Sequence, residues 1–122
     1  MNEPVVRMVL LPRYTAVYGE GPLDTAPFSV RRYARVILTG WAGRGLGATS
    51  PAATITLDQS ADLGHWHEVG SVSPAAGTEA SETLDLLDLE WARLRVEVEP
   101  DEGEEPGTTV WAVGAFVPRE GA

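Results

Sequence analysis

The chain has no cysteine and no lysine, and only two histidines and two phenylalanines among its 122 residues. Without cysteine there is no disulfide framework, no thiolate zinc site and no thiol nucleophile. Without lysine there is no phosphate-gripping P-loop lysine, no Schiff base and no lysine general base, and all nine basic residues are arginine. No apolar run approaches the roughly 20 residues that a membrane helix needs. The start, Met1 to Arg13, has one short apolar run interrupted by Arg7 and no small-residue cleavage pattern. The expectation is synthesis in a cytoplasm without a signal peptide.

Positive charge is also scarce. Nine arginines face 18 acids, a net charge of −9. The imbalance is uneven: residues 1–61 carry +2 and residues 62–122 carry −11. Nucleic acid binding requires a basic face that displaces counterions from phosphate, so nucleic acid is not an expected partner, and an anionic membrane surface is excluded on the same ground. Arg31, Arg32 and Arg35 form a local basic cluster. It either docks on an acidic protein or protects a strand edge by charge.

What the sequence does contain is a hydrophobic fraction of 43% and a charged fraction of 22%, the composition of an ordinary globular protein. The length corresponds to a single domain, residues 1–122. Its dominant pattern has a period of two. In 91–99 (WARLRVEVE), Ala92, Leu94, Val96 and Val98 point one way while Trp91, Arg93, Arg95, Glu97 and Glu99 point the other. Successive strand side chains alternate faces, so this segment reads as a half-buried strand. The same reading applies to 33–41, with Ala34, Val36 and Leu38 inward, and to 52–58, with Ala53, Ile55 and Leu57 inward. Further candidates at 4–11, 13–18, 65–72, 79–87 and 108–117 bring the count to eight. No window sustains a 3.6-residue period. Breakers rich in Gly, Pro and acids separate the strands at 19–27, 42–51, 73–78 and 100–107. Pro4 and Pro12 bracket the first strand, so it either lies at an edge or ends there. Short strands at this spacing without helices predict an all-β, antiparallel, jelly-roll-like sandwich.

The strand 108–117 is apolar on both faces: Val110, Ala112 and Phe116 on one, Trp111, Val113, Ala115 and Val117 on the other. A strand buried on both sides is covered either by another subunit or by a loop such as 19–27.

Catalytic groups are isolated. A Ser-His-Asp arrangement would depend on His65 or His67, and no G-x-S-x-G elbow is present. His65 and His67, two residues apart, would share a strand face and are weak candidates for a metal pair, but a third ligand cannot be named. An exposed histidine pair beside a turn is the favoured reading. The acidic run Asp101, Glu102, Glu104 and Glu105 lacks the spacing of a calcium loop. The glycine run 43–47 (GRGLG) is followed by a strand, so it has no helix N-terminus with which to hold phosphate. No cofactor is expected. Of the four tryptophans, Trp66 alternates toward Val72 and reads as core. Trp41 beside Arg44, and Trp91 beside Arg93, are the candidates for stacking a sugar ring, with rim packing as the alternative.

The stretch 54–70 (TITLDQSADLGHWHEVG) follows the pattern strand, Q-S-x-D, short turn, tryptophan, second strand, and Trp91-Ala92-Arg93-Leu94-Arg95-Val96 follows about twenty residues later. This pairing resembles small jelly-roll or β-sandwich proteins, decoration or minor structural, of tailed phages and phage-like particles. It is also similar, more weakly, to discoidin-like (F5/8 type C) domains. The turn reads Ala-Asp-Leu-Gly where such hairpins usually have Asp-Gly. The phage resemblance implies a non-enzymatic minor capsid, cement or tail-associated component that docks on shell or tail subunits, or on its own copies, and ends in a virion-like particle. Trp111, Val113, Ala115, Val117, Arg31, Arg32 and Arg35 are the expected partner contacts. The alternative is a carbohydrate-binding jelly roll using Trp41, Arg44, Trp91 and Arg93.

Overall fold

The computed structural model describes residues 5–18, 22–43, 52–99 and 107–119. Among the described residues it is all-β, with nine strands: β1 (Val6–Tyr18), β2 (Leu23–Asp24), β3 (Phe28–Ser29), β4 (Tyr33–Ala42), β5 (Ala52–Ser60), β6 (His67–Val72), β7 (Thr78–Asp85), β8 (Trp91–Glu99) and β9 (Gly107–Pro118). Sheet A has the order β1-β9-β4-β7; sheet B has the order β2-β8-β5-β6, with β3 also on β8, and every strand pairing in both sheets is antiparallel. Because β2 and β3 both pair with β8, they are two pieces of one interrupted strand. The sheets then follow the two-Greek-key jelly-roll connectivity.

The strand count reaches nine by a different route from the expected eight. The segments 4–11 and 13–18 are one long strand, β1, whose register shifts between Val9 and Leu11 and again between Leu11 and Thr15. Pro12 falls within this irregular stretch of an edge strand, where a missing N–H costs no ladder bond. The region 19–27, expected as a breaker, contains β2.

The core lies between the two inner faces. From sheet A come Leu11, Val17, Val36, Leu38, Leu84, Val110, Ala112 and Phe116; from sheet B come Ala53, Ile55, Leu57, Val72, Ala92, Leu94, Val96 and Val98. The alternation that marked β4, β5 and β8 is therefore the inward-facing pattern of stacked sheets. Phe116 closes one end, packing edge-on against Phe28 at 6.1 Å and tilted against Tyr33 at 5.2 Å. Close approach is built in at Gly40 on β4: a Cβ there would lie 2.6 Å from Ile55 Cδ1 and 3.0 Å from Val72 Cγ2, so the two sheets meet over a residue without a side chain.

Candidate functional site: two outer sheet faces

The outer face of sheet B is polar and closed on itself. Asp58 on β5 lies opposite Arg93 on β8, with Arg95 two residue pairs along the ladder and on the same face. Its carboxylate is almost wholly buried and accepts from Arg95 Nε at 3.2 Å and from Arg93 Nε at 3.4 Å. Arg95 also donates to Glu68 Oε1 at 3.1 Å and Glu97 Oε1 at 2.7 Å, while Arg93 reaches Asp24 Oδ2 at 3.5 Å. The hydrogen bond to Asp58 is the main reason that the Arg95 guanidinium holds its proton even more tightly than usual. Arg93 also lies over the Trp66 ring, 4.2 Å from its centroid.

Trp66 is thus on the outer face and half-buried, not in the core. The register between β5 and β6 slips by one residue, from Leu57 opposite Gly70 to Asp58 opposite Glu68. The unpaired Val69 reverses the facing of everything before it, which simple alternation back from Val72 cannot anticipate. The turn before β6 is held by side chains. Ser60 Oγ accepts from Leu63 N–H at 2.9 Å, and Asp62 Oδ1 accepts from the N–H groups of Gly64 (2.9 Å) and His65 (2.8 Å). His65 Nδ1 sits 2.8 Å from Asp62 Oδ2. These bonds, led by that of the His65 ring, hold the Asp62 carboxyl well below the ordinary carboxylate range. His65 therefore belongs to the turn rather than to the strand, and does not share a strand face with His67. Among the described residues no three His, Cys, Asp or Glu side chains gather as a metal site.

The outer face of sheet A is different. Trp111, Val113, Ala115 and Val117 of β9 lie opposite Trp41, Thr39, Ile37 and Arg35 of β4, which in turn lie opposite Glu79, Ser81, Thr83 and Asp85 of β7. On the other side of β9, Ala115 and Val113 lie opposite Arg7 and Val9 of β1. The centre of this face is apolar, and it is open: Val9 is 68% and Ile37 42% exposed. Val113, Ala115 and Val117 are half-buried, shielded by their neighbours in the sheet. The segment 22–27, within the loop considered as a cover for β9, runs along β8 of sheet B instead. At one end of the face Trp41 and Trp111, with Arg13 and Glu79, line a shallow depression of about 340 Å³, and the Arg13 guanidinium lies 5.7 Å from the centre of the Trp111 ring.

The sequence-derived site residues divide accordingly. Trp111, Val113, Ala115, Val117 and Arg35 share the outer face of sheet A, and Trp41 joins them. Arg31 and Arg32 form the turn before β4, where their carbonyls accept from Arg119. Trp91 and Arg93 lie on the other sheet, with Arg93 engaged by Asp24, Asp58 and Trp66. Arg44 and the acidic run 101–105 lie outside the described residues. The pairing of Trp41 with Trp111 was missed in the sequence because nothing local links strands 70 residues apart.

No protein-family model matches the chain, and no curated protein matches it in sequence. Among solved structures it is similar to the PBSX exported protein XepA, with TM-score 0.67 and 14% identity over 94% of this chain. A structure of the infectious bursal disease virus Gx strain gives TM-score 0.52 and 10% identity over 91% of this chain. The chain spans 38% and 32% of those two proteins' lengths, respectively. A family 29 carbohydrate-binding module complexed with cellulohexaose gives TM-score 0.48 and 14% identity, covering 94% of this chain and 93% of that one. At these identities the likenesses to XepA and to the viral protein show the β-sandwich fold that the chain shares with them.

Proposed function

We propose that this chain is a non-enzymatic structural module of a phage-like particle and works by docking on other protein subunits through the outer face of sheet A. The observation that carries the reading is the uncovered apolar centre of that face, Val9, Ile37, Val113, Ala115 and Val117, on a domain whose other sheet face is closed by its own ion pairs. An open apolar patch rimmed by polar groups marks an interaction surface. The fold shared with the PBSX exported protein XepA and with a viral protein supports placing it in a particle. Co-sedimentation with the parent particle tests the proposal. Ile37→Asp and Val113→Asp should each release the protein from the particle while circular dichroism stays unchanged. A wild-type protein that never co-sediments would overturn it.

A second reading rests on Trp41 and Trp111, which offer adjacent ring surfaces with Arg13 and Glu79 as flanking polar groups. Sugar rings stack on such surfaces while charged neighbours bind their hydroxyls. Glycan-array screening decides it. Binding lost in Trp41→Ala and Trp111→Ala but kept in Trp91→Ala supports this reading, and absence of any glycan signal removes it.

A further inference from the structure

The two outer faces handle charge in opposite ways. On sheet B each arginine is matched within the chain. On sheet A the charges of the two edge strands are of opposite sign, Arg7 and Arg13 on β1 and Glu79 and Asp85 on β7, and the band of β9 and β4 between them is apolar except for Arg35, which lies at one end of β4 between Val117 and Asp85. Among the described residues none of these four makes an ion pair within the chain. A face that is basic along one edge, acidic along the other and mainly apolar between them is complementary to itself under one rotation.

We infer that the outer face of sheet A docks on the same face of a second copy, about a two-fold axis parallel to its strands. The inference rests on the docking role proposed above and names the partner. This rotation lays β1 over β7 of the copy and β9 over its β4. Arg13 then faces Glu79 of the second copy, Trp111 faces its Trp41, and Arg7 falls beside its Asp85. Every contact occurs twice, as an isologous interface requires. A two-fold axis perpendicular to the strands would instead set β1 on β1 and arginine against arginine. Charge therefore selects one of the two face-to-face arrangements. Stacked sheets lie about 10 Å apart, a gap that an arginine and a glutamate extended toward each other can bridge. Four strands spaced about 4.8 Å apart over four outward rows give a face of roughly 500 Å² per copy. Two such faces fall in the weak, reversible class of interfaces, which suits a subunit that exchanges partners during assembly.

Sedimentation equilibrium of the full chain tests this, with charge reversal as the probe. The wild type should pass from 13.1 kDa to twice that mass as concentration rises. Arg13→Glu alone and Glu79→Arg alone each turn two attractions into two repulsions and should weaken self-association by roughly tenfold or more. An equimolar mixture of the two variants should restore it, since each contact then pairs Glu with Arg, and the double variant should restore it in one chain. Recovery in the mixture also shows that both variants are folded. A wild type that stays monomeric, single variants that still dimerise, or a mixture that fails to recover would each overturn the inference. Particle co-sedimentation of the same proteins separates this from the docking role. A monomer that still binds the particle overturns only the self-pairing, whereas a dimer that never binds the particle overturns only the particle assignment.

Discussion

The side-chain amide of Gln59 pairs with both backbone groups of Leu87: its Oε1 accepts from Leu87 N–H at 2.7 Å, and its Nε2 donates to the Leu87 carbonyl at 3.1 Å. Nε2 also lies 3.4 Å from the Leu89 carbonyl. Gln59 is fully buried at the end of β5, so a polar side chain at a core-facing position is satisfied by the irregular segment that leads into β8. Replacing it with the apolar Leu would leave the Leu87 N–H without its partner, whereas the Leu87 carbonyl keeps the Leu89 N–H at 2.9 Å. Gln59→Leu is expected to cost about 2–3 kcal/mol, read as a lowered urea midpoint, with faster amide exchange at Leu87 as the local signature. An unchanged midpoint would mean that water reaches this segment.

Asp58 stands in the same strand with the opposite problem, a nearly buried carboxylate serving two guanidinium groups. Asp58→Ala leaves Arg93 and Arg95 without their shared anion. Because both arginines keep partial contact with water, the expected loss is below the range for fully buried pairs, about 2 kcal/mol. Arg95→Ala should cost less, since Arg93 still serves Asp58. Equilibrium denaturation of both variants checks the order.

Leu63 occupies the left-handed backbone region, with φ of 68°, in the turn between β5 and β6. A Cβ in that conformation is strained by roughly 1–2 kcal/mol. Its side chain is largely exposed, so little packing is lost on removal. Leu63→Gly should therefore raise stability, by about 0.5–1 kcal/mol once the extra chain entropy of glycine is counted. A lower thermal midpoint in the variant would show that the leucine side chain has a role in the turn.

The Asp62 turn should respond to acid. Its carboxyl has a folded-state pKa below the unfolded value of about 3.9. A depressed value means that the contribution to stability is complete above the unfolded pKa and disappears as pH falls toward the folded one. Asp62→Asn should thus be less stable than wild type by a constant margin from pH 5 upward. The margin should narrow below about pH 4. Denaturation curves of both proteins across this range check it; a pH-independent difference would assign the effect to shape rather than charge.

Much of the hairpin that carries the phage resemblance has a structural reason. Gln59 secures the 86–90 segment, Ser60 and Asp62 cap the turn, Trp66 supports Arg93, and the Ala-Arg-Leu-Arg strand returns both arginines to Asp58. The pattern therefore reports a way of building this sandwich and carries no information about the outer face of sheet A.

The longer strands and the inward faces of β4, β5 and β8 were legible in the sequence, because a period of two places each side chain relative to its neighbours. The sequence also marked β9 as apolar on both faces. Only the tertiary structure decided which strands became neighbours, and with that the meeting of Trp41 and Trp111, the charged edges of sheet A and the outward turn of Trp66. Ladder register depends on pairing between distant segments, and a single bulge, as at Val69, inverts a face that local alternation assigns with equal consistency either way.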